Sequence, residues 1–151
     1  MTMLEREIRD DSGRLRQRWE VRIDSGVEIR HGLYESRHEN GRIAERGRYR
    51  DGEKDGLWEL WHEESETKFA EKTFHRGVAH GRWMNYYLDG TPKCERFFVD
   101  GVEHGTRTTH YTRGITWIEE YAGGLKHGLC VELDKFGAIV AQRRYHHGAE
   151  I

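Results

Sequence analysis

The sequence predicts an all-β protein made of tandem β-hairpins, roughly 24 residues each, that form an elongated antiparallel sheet or a β-solenoid. Three observations predict this fold class. Two columns of glycine recur in register along the chain, an aromatic residue stands three positions before each glycine of the second column, and a turn dipeptide follows most glycines of the first column. Glycine at every dozen residues and the β-branched and aromatic residues between them do not favour helix.

The first glycine column recurs every 23 to 25 residues, at Gly32, Gly56, Gly81, Gly105 and Gly128. Nine residues after four of these glycines a turn dipeptide ends, at Asn40-Gly41, Asp89-Gly90, Arg113-Gly114 and Phe136-Gly137. Asn-Gly and Asp-Gly accept positive φ at both central positions of a type I′ hairpin turn, so we predict hairpin turns there. The second repeat carries Glu64-Ser65-Glu66 instead, which predicts a loop one residue longer.

The second glycine column marks the other connection in each repeat, at Gly52, Gly77, Gly101, Gly124 and Gly148. We predict a short loop there that leads into the next hairpin. The aromatic column that precedes these glycines consists of Tyr49, Phe74, Phe98, Tyr121 and Tyr145. Side chains alternate between the two faces of a strand, so these rings are expected to be buried and stacked in sequence order on one face.

The repeats predict a single domain over residues 1–151. Residues 1–31 form a degenerate half-repeat and cap, with Ser12-Gly13 and Ser25-Gly26 as its turns. Residues 32–148 form five hairpin repeats, and residues 149–151 form a tail. Strand edges at both ends of the array are unpaired in this scheme, so they offer a route to oligomers.

The composition favours a thin, single-layer structure. Hydrophobic residues make up 35% of the chain and charged residues 34%, yet aromatic residues reach 11%. The net charge of −2 comes from interspersed acidic and basic residues, so no nucleic-acid partner is expected. The N-terminus lacks the apolar run of a signal peptide and no long apolar stretch follows, which predicts a cytoplasmic protein. Cys94 and Cys130 are not in a CxxC pair and are expected to be reduced and buried.

The unit from Val78 to Gly90, together with Phe98-Val-Asp-Gly101, resembles a MORN repeat. It is most similar to the bacterial variant found in proteins described as YwqK-family antitoxins, and the resemblance extends over about residues 13–148. It implies five MORN-like repeats and a protein that works by binding. The fourth and fifth repeats depart from the pattern, because Arg107 and Cys130 stand where the pattern has tryptophan.

A histidine column precedes the first glycine column, at His31, His80, His104 and His127, with Asp55 in the second repeat. Equivalent positions in successive hairpins lie roughly 9.5 Å apart, from a strand spacing of about 4.8 Å, so neighbouring histidines do not converge on one ion. We therefore expect each imidazole to contact turn backbone and no metal or other cofactor to be bound. The adjacent pair His146-His147 offers at most weak, adventitious metal binding.

The chain carries no recognisable catalytic motif: its serines and cysteines stand in no nucleophile elbow, and no phosphate-binding loop occurs. The best candidate site is instead a protein-binding surface on the face opposite the aromatic column, formed by Trp61, Met84, Tyr86, His110, Val131 and Leu133. The alternative is that this face is covered by the chain itself.

The function expected from the sequence is a non-catalytic protein-binding module, and the resemblance adds an antitoxin or immunity protein that occludes a toxin. The second hypothesis is a structural scaffold or a protein that associates with membrane lipids. The third is an enzyme of unknown type.

Overall fold

Residues 2–151 are described by a computed structural model, and they form sixteen β-strands and no helix. The predicted all-β class is confirmed. The chain divides into two units, one ending at Val78 and the other running from Ala79 to Ile151. The division of the sequence into residues 1–31, 32–148 and 149–151 stays a prediction.

The first unit contains seven strands: β1 (Thr2–Arg9), β2 (Leu15–Asp24), β3 (Val27–Arg37), β4 (Ile43–Arg50), β5 (Glu53–Lys54), β6 (Gly56–Trp61) and β7 (Lys68–His75). They pair in the order β1-β2-β3-β4-β6-β7, with the short β5 beside β4. The pairs are antiparallel and join neighbours along the chain. Of the two predicted architectures, the unit therefore adopts the antiparallel sheet.

The second unit contains nine strands: β8 (Val78–Tyr86), β9 (Pro92–Val99), β10 (Val102–Glu103), β11 (Gly105–His110), β12 (Thr116–Ala122), β13 (Leu125–Lys126), β14 (Gly128–Leu133), β15 (Ile139–His146) and β16 (Ala149–Glu150). The order is β8-β9-β11-β12-β14-β15-β16, with β10 beside β9 and β13 beside β12. These pairs are also antiparallel. The long strands therefore place all hairpin loops of this unit at one end and all glycine-column turns at the other.

The tight two-residue turns occur at the second glycine column and not at the predicted dipeptides. The residue before each of these glycines has a φ of 48 to 59°, and the φ of each glycine is also positive. Positive φ at both positions is the type I′ geometry, which matches the twist of the flanking strands. The residues that adopt it without being glycine are Ser25, Asp51, Arg76, Asp100 and His147.

The predicted dipeptides form hairpin loops of three residues, so their positions are confirmed and their expected type I′ geometry is wrong. In the first, Gly41 N–H donates to the His38 carbonyl at 3.0 Å and His38 N–H donates to the Arg42 carbonyl at 2.9 Å. Among these loop residues only the glycine has positive φ. This is the pattern of a type I turn followed by a left-handed bulge residue. The Asn40 carboxamide instead accepts a hydrogen bond from Arg42 N–H at 2.9 Å.

Successive type I′ turns within each unit are tied together by backbone hydrogen bonds. In the first unit Gly52 N–H donates to the Arg30 carbonyl and Gly77 N–H donates to the Lys54 carbonyl, both at 2.8 Å. In the second unit the same bond joins Gly101 to Ala79, Gly124 to Glu103 and Gly148 to Lys126. Each repeat thus satisfies a backbone donor of the next, as expected for a repeat array.

The N-terminal residues form a full strand. β1 pairs with β2 from Thr2 opposite Ile23 to Arg9 opposite Leu15. The Asp10 carboxylate stabilises the intervening loop: its hydrogen bond with the Ser12 hydroxyl, and further bonds from the Ser12 and Arg14 N–H groups, lower the pKa of Asp10 to about 2. Residues 2–9 therefore lie beside β2 and do not fold across a face of the sheet.

The core of the first unit is an aromatic cluster around Trp58, whose exposed fraction is 0%. Its ring centroid lies 5.0 Å from that of Tyr49 and 5.5 Å from that of Tyr34. The Lys54 ammonium lies 3.8 Å from the Trp58 ring centroid, and Gly47 gives the ring room against the neighbouring strand. The indole N–H donates to the Arg48 carbonyl at 3.2 Å, so the one polar atom of this side chain is satisfied.

The aromatic column is interleaved with cations. The Arg30 guanidinium lies 5.4 Å from the Tyr49 ring centroid, and in the second unit the Lys126 ammonium lies 5.3 Å from that of Tyr145. Of the five column rings only Tyr121 is buried, and the others are half-buried. The expectation of five buried rings stacked on one another is therefore wrong, because a single-layer sheet leaves this face partly to solvent and long cationic side chains cover it.

Arg107, which replaces the expected tryptophan, is accompanied by a second substitution. Glu103 occupies the position that Lys54 holds in the second repeat, and it accepts a hydrogen bond from Arg107 Nε at 2.8 Å. The guanidinium also lies 4.3 Å from the Tyr121 ring centroid. The hydrogen bond with Glu103 raises the pKa of Arg107, and burial opposes it. In this repeat the cation therefore stands at the tryptophan position, and its acidic partner stands at the lysine position.

We expect this pair of positions to show compensation. Glu103→Lys alone should lower the free energy of unfolding by about 1–3 kcal/mol, because it removes the carboxylate and places two cations together. Arg107→Trp with Glu103→Lys restores the arrangement of Lys54 and Trp58 and should be more stable than either single variant. Urea denaturation of the four proteins measures this coupling, and simple additivity would contradict it.

Candidate protein-binding surface

The candidate residues divide by their position along the strands. Trp61, Tyr86, His110 and Leu133 are the last residues of β6, β8, β11 and β14, directly before the hairpin loops. Met84 and Val131 lie two residues earlier in their strands. The first group therefore belongs to the loop end of the sheet, and the second group belongs to its middle.

Two cross-strand rows bring candidate residues of the second unit together. In one row, His110 lies opposite Thr116, and Thr116 lies opposite Leu133 on its other side. The His110 ring contacts the Thr116 hydroxyl through Nδ1 at 3.1 Å. Leu133 in turn lies opposite Ile139 of β15. This row forms a continuous strip at the loop end.

The second row runs through the middle of the same face. Met84 lies opposite Glu95, which lies opposite Thr108, and Ile118 lies opposite both Thr108 and Val131. Met84 has an exposed fraction of only 7%, and Val131 is half-buried. Met84 therefore offers little surface to a partner, whereas His110 is exposed and Tyr86 and Leu133 are half-buried.

Trp61 lies in the first unit and packs among charged side chains. The Arg46 guanidinium is 5.3 Å and the Lys68 ammonium 5.8 Å from its ring centroid, and both cations form ion pairs with Glu59. Burial would raise the pKa of Glu59, but its hydrogen bonds with Lys68 and Arg46 outweigh burial and lower it. The half-buried indole is thus held in place by two cations and keeps one part of its surface accessible.

A group of exposed apolar residues at the loop end of the second unit was missed by the sequence reasoning. We name this group the apolar loop edge, and it comprises Leu88, Tyr111, Phe136, Ile139 and Val140. Phe136 is 83% exposed and Tyr111 is 51% exposed. The loops of the first unit carry Glu39, Asn40, Glu63 and Glu64 instead. Comparing the loop sequences of the two units would have revealed the apolar loop edge. The alternation of side chains along strands carries no information about loops.

A groove separates two neighbouring loops of this edge and is lined by Tyr87, Leu88, Pro92, His110 and Tyr111. The Tyr87 hydroxyl donates to the His110 carbonyl at 2.6 Å and so fixes one wall to the other. Since both loops are also closed by their own backbone hydrogen bonds, the groove is preformed.

Basic side chains flank the apolar loop edge. The Lys93 ammonium lies 5.4 Å from the Tyr87 ring centroid and the Lys135 ammonium 5.0 Å from that of Phe136. The carboxylates beside them are used within the loops: Asp89 accepts from Thr91 N–H at 2.9 Å, and Asp134 accepts from Phe136 N–H at 2.8 Å. The edge therefore presents apolar groups flanked by basic side chains, with the two carboxylates held in the loop backbone.

Most members of the histidine column contact the following type I′ turn, as expected. His31 Nδ1 accepts from Asp51 N–H at 3.3 Å and lies 3.1 Å from the Asp51 carboxylate. His80 and Asp100 repeat this arrangement, with the carboxylate at 3.4 Å. The two cysteines have free thiols, and Cys130 is buried as expected. Cys94 is half-buried, so the expectation that it is buried is wrong.

Comparison with known proteins adds no family assignment. No family model matches the chain, and no curated protein sequence matches it at a significant level. The resemblance to MORN repeats therefore stays a prediction. Residues 2–151 contain no helix with the length and hydrophobicity needed to cross a membrane.

Proposed function

We propose that this chain is a non-catalytic protein-binding repeat module whose main contact surface is the apolar loop edge of the second unit. The observation that carries the proposal is the exposure of Tyr111 and Phe136 beside Leu88, Ile139 and Val140. Apolar groups clustered within a polar rim are typical of interaction sites, and aromatic residues supply much of the binding energy at interfaces.

The candidate residues from the sequence extend this surface. His110 and Leu133 end the strands that lead into two of its loops, and Tyr86 ends the strand that leads into the third. A partner that covers the loops would also reach these strand ends. Met84 is excluded from the contact set because it is buried.

The basic side chains at the apolar loop edge indicate the chemistry of the partner. Lys93, Arg113 and Lys135 lie in or beside its loops, and these three cations outnumber the two loop carboxylates, Asp89 and Asp134, which are held by loop N–H groups. Charge complementarity then favours a protein surface with apolar residues ringed by acidic ones. The resemblance to antitoxin repeat proteins makes a toxin the first candidate, to be neutralised by occlusion.

Capture of partners from the host tests the proposal. The tagged chain should retain a specific protein, identified by mass spectrometry, and Tyr111→Ser with Phe136→Ser should lose it, because truncating such anchors weakens binding by about 2 kcal/mol or more. The melting temperature should stay within a few degrees, because both side chains are exposed.

Leu57→Ser is the matched control. Leu57 is a similarly exposed apolar residue of the first unit that lies at the start of β6, away from any hairpin loop, so the partner should be retained. Equal partner yield from the Tyr111/Phe136 variant and the wild type would contradict the proposed surface. Loss of binding to anionic vesicles by that variant, without any captured protein, would favour the lipid-associated alternative instead.

A further inference from the structure

Three histidine side chains meet at the last type I′ turn. His127 precedes β14, His146 ends β15, and His147 is the first residue of the turn. One ring nitrogen from each lies within 4.8 Å of those of the other two. The ring centroids are 5.1 Å (His127–His146), 5.0 Å (His127–His147) and 4.3 Å (His146–His147) apart.

In three of the other four repeats the same three positions include a carboxylate. In the first unit they hold His31, Arg50 and Asp51, with the His31 ring 3.1 Å from the Asp51 carboxylate. The next set is Asp55, His75 and Arg76, in which the Asp55 carboxylate lies 3.7 Å from His75 Nδ1. Each of these sets contains its own anion. The last set contains three bases and no anion.

We propose that His127, His146 and His147 form a binding site for a late first-row transition-metal ion, such as Zn²⁺, Ni²⁺ or Cu²⁺. Neutral imidazole is a preferred ligand of these ions, and three histidines with an open fourth position are a known coordination set for zinc. The ion would bind one ring-nitrogen lone pair from each of the three histidines. The site lies at the opposite end of the strands from the apolar loop edge.

The three histidine rings need to move only a short distance to bind one ion. Zn–N bonds of about 2.0–2.1 Å in a tetrahedral site place the nitrogens about 3.3 Å apart, so the rings must approach by up to about 1.5 Å. His146 and His147 are exposed, so rotation of their side chains can provide this. His127 Nδ1 accepts a hydrogen bond from His147 N–H at 3.4 Å. A hydrogen bond of this length is weak, so little free energy is lost when metal binding replaces or weakens it.

From the sequence, the histidine column and the pair His146-His147 were considered separately, so the meeting of His127 with that pair was not predicted. His127 belongs to that column, but His146 and His147 belong to the following turn, where the other repeats have other residues. The column residue and the first residue of the next turn are 20 positions apart for His31 with Asp51, His80 with Asp100 and His127 with His147. That spacing brings side chains of successive repeats together at one point.

Calorimetric titration of the purified full-length chain with ZnCl₂ tests the proposal. We expect one Zn²⁺ per chain, and Co²⁺ substitution should give the visible absorption of a low-coordinate nitrogen-ligated ion. His146→Ala and His147→Gly should each weaken Zn²⁺ binding by about tenfold or more, since losing even a residue that only supports a ligand reduces affinity 10–100-fold. Glycine at 147 preserves the left-handed turn conformation, as Gly123 does in the preceding turn.

His104→Ala is the matched control, because His104 occupies the position of His127 in the preceding repeat, where the turn carries Ala122 and Gly123 in place of histidines. Its Zn²⁺ affinity should equal that of the wild type. Binding that is absent, or that persists at wild-type affinity in both His146→Ala and His147→Gly, would overturn the proposal. Far-UV circular dichroism of each variant confirms that a loss of binding reflects loss of a ligand and not of the fold.

Discussion

Replacing Trp58 by alanine should lower the free energy of unfolding by about 3–5 kcal/mol, the range for deleting a core aromatic side chain. Trp58 is fully buried and contacts the rings of Tyr34 and Tyr49. Its loss also removes the ring beneath the Lys54 ammonium, leaving that cation over a cavity. Chemical denaturation measures the change.

The neighbouring residue provides a matched control for this prediction. Leu57 points to the opposite face of β6 and is half exposed, so Leu57→Ala should change the stability by less than about 1 kcal/mol. Similar losses from Trp58→Ala and Leu57→Ala would show that the two faces are buried equally, and the assignment of the core to the aromatic face would then be wrong.

Gly47→Ala should be the second most damaging substitution, with a loss of at least about 2 kcal/mol from overpacking. A Cβ atom at Gly47 would lie 2.3 Å from Trp58 Cδ2 and 2.5 Å from Cε2, well inside van der Waals contact. Gly47 is not among the residues with positive φ, so the expected loss comes from the ring and not from backbone strain.

A double-mutant cycle distinguishes these causes. In a Trp58→Ala background the ring is absent, so Gly47→Ala should become nearly neutral and the two effects should be strongly non-additive. A Gly47→Ala loss of the same size in both backgrounds would contradict direct contact between the added methyl group and the indole.

The strand pattern could be predicted from the sequence because the turn residues and the side chains of the buried face both recur at regular intervals. The second glycine column, the four turn dipeptides and Glu64-Ser65-Glu66 located the connections between the long strands from residue 32 to residue 148, and Cys130 is buried as predicted. The type I′ geometry was predicted for the turn dipeptides, but it occurs at the second glycine column. Asn40-Gly41 has the residues of a type I′ turn, but the surrounding backbone hydrogen bonds give a three-residue loop, whereas Arg76-Gly77 and His147-Gly148 form type I′ turns without favourable residues at the first position.

Only part of the candidate surface could be predicted from the sequence. Alternation identified the outward-facing strand ends, such as His110 and Leu133, but placed the buried Met84 among them. Exposure in a single-layer sheet depends on how far long side chains from adjacent strands extend over a position, which no single-strand pattern records. Phe136 was predicted to be a turn residue, so its near-complete exposure emerged only from the three-dimensional structure.

Amide hydrogen exchange of the chain, alone and bound to its captured partner, tests the proposed binding surface most directly. We expect slowed exchange in the complex at the hairpin loops and adjoining strand ends of the second unit, in residues 110–116 and 133–140. The turn end of the same unit, including residues 123–124, should exchange at the same rate in both states. Protection confined to the turn end or to β1, with unchanged exchange at the loops, would contradict the account.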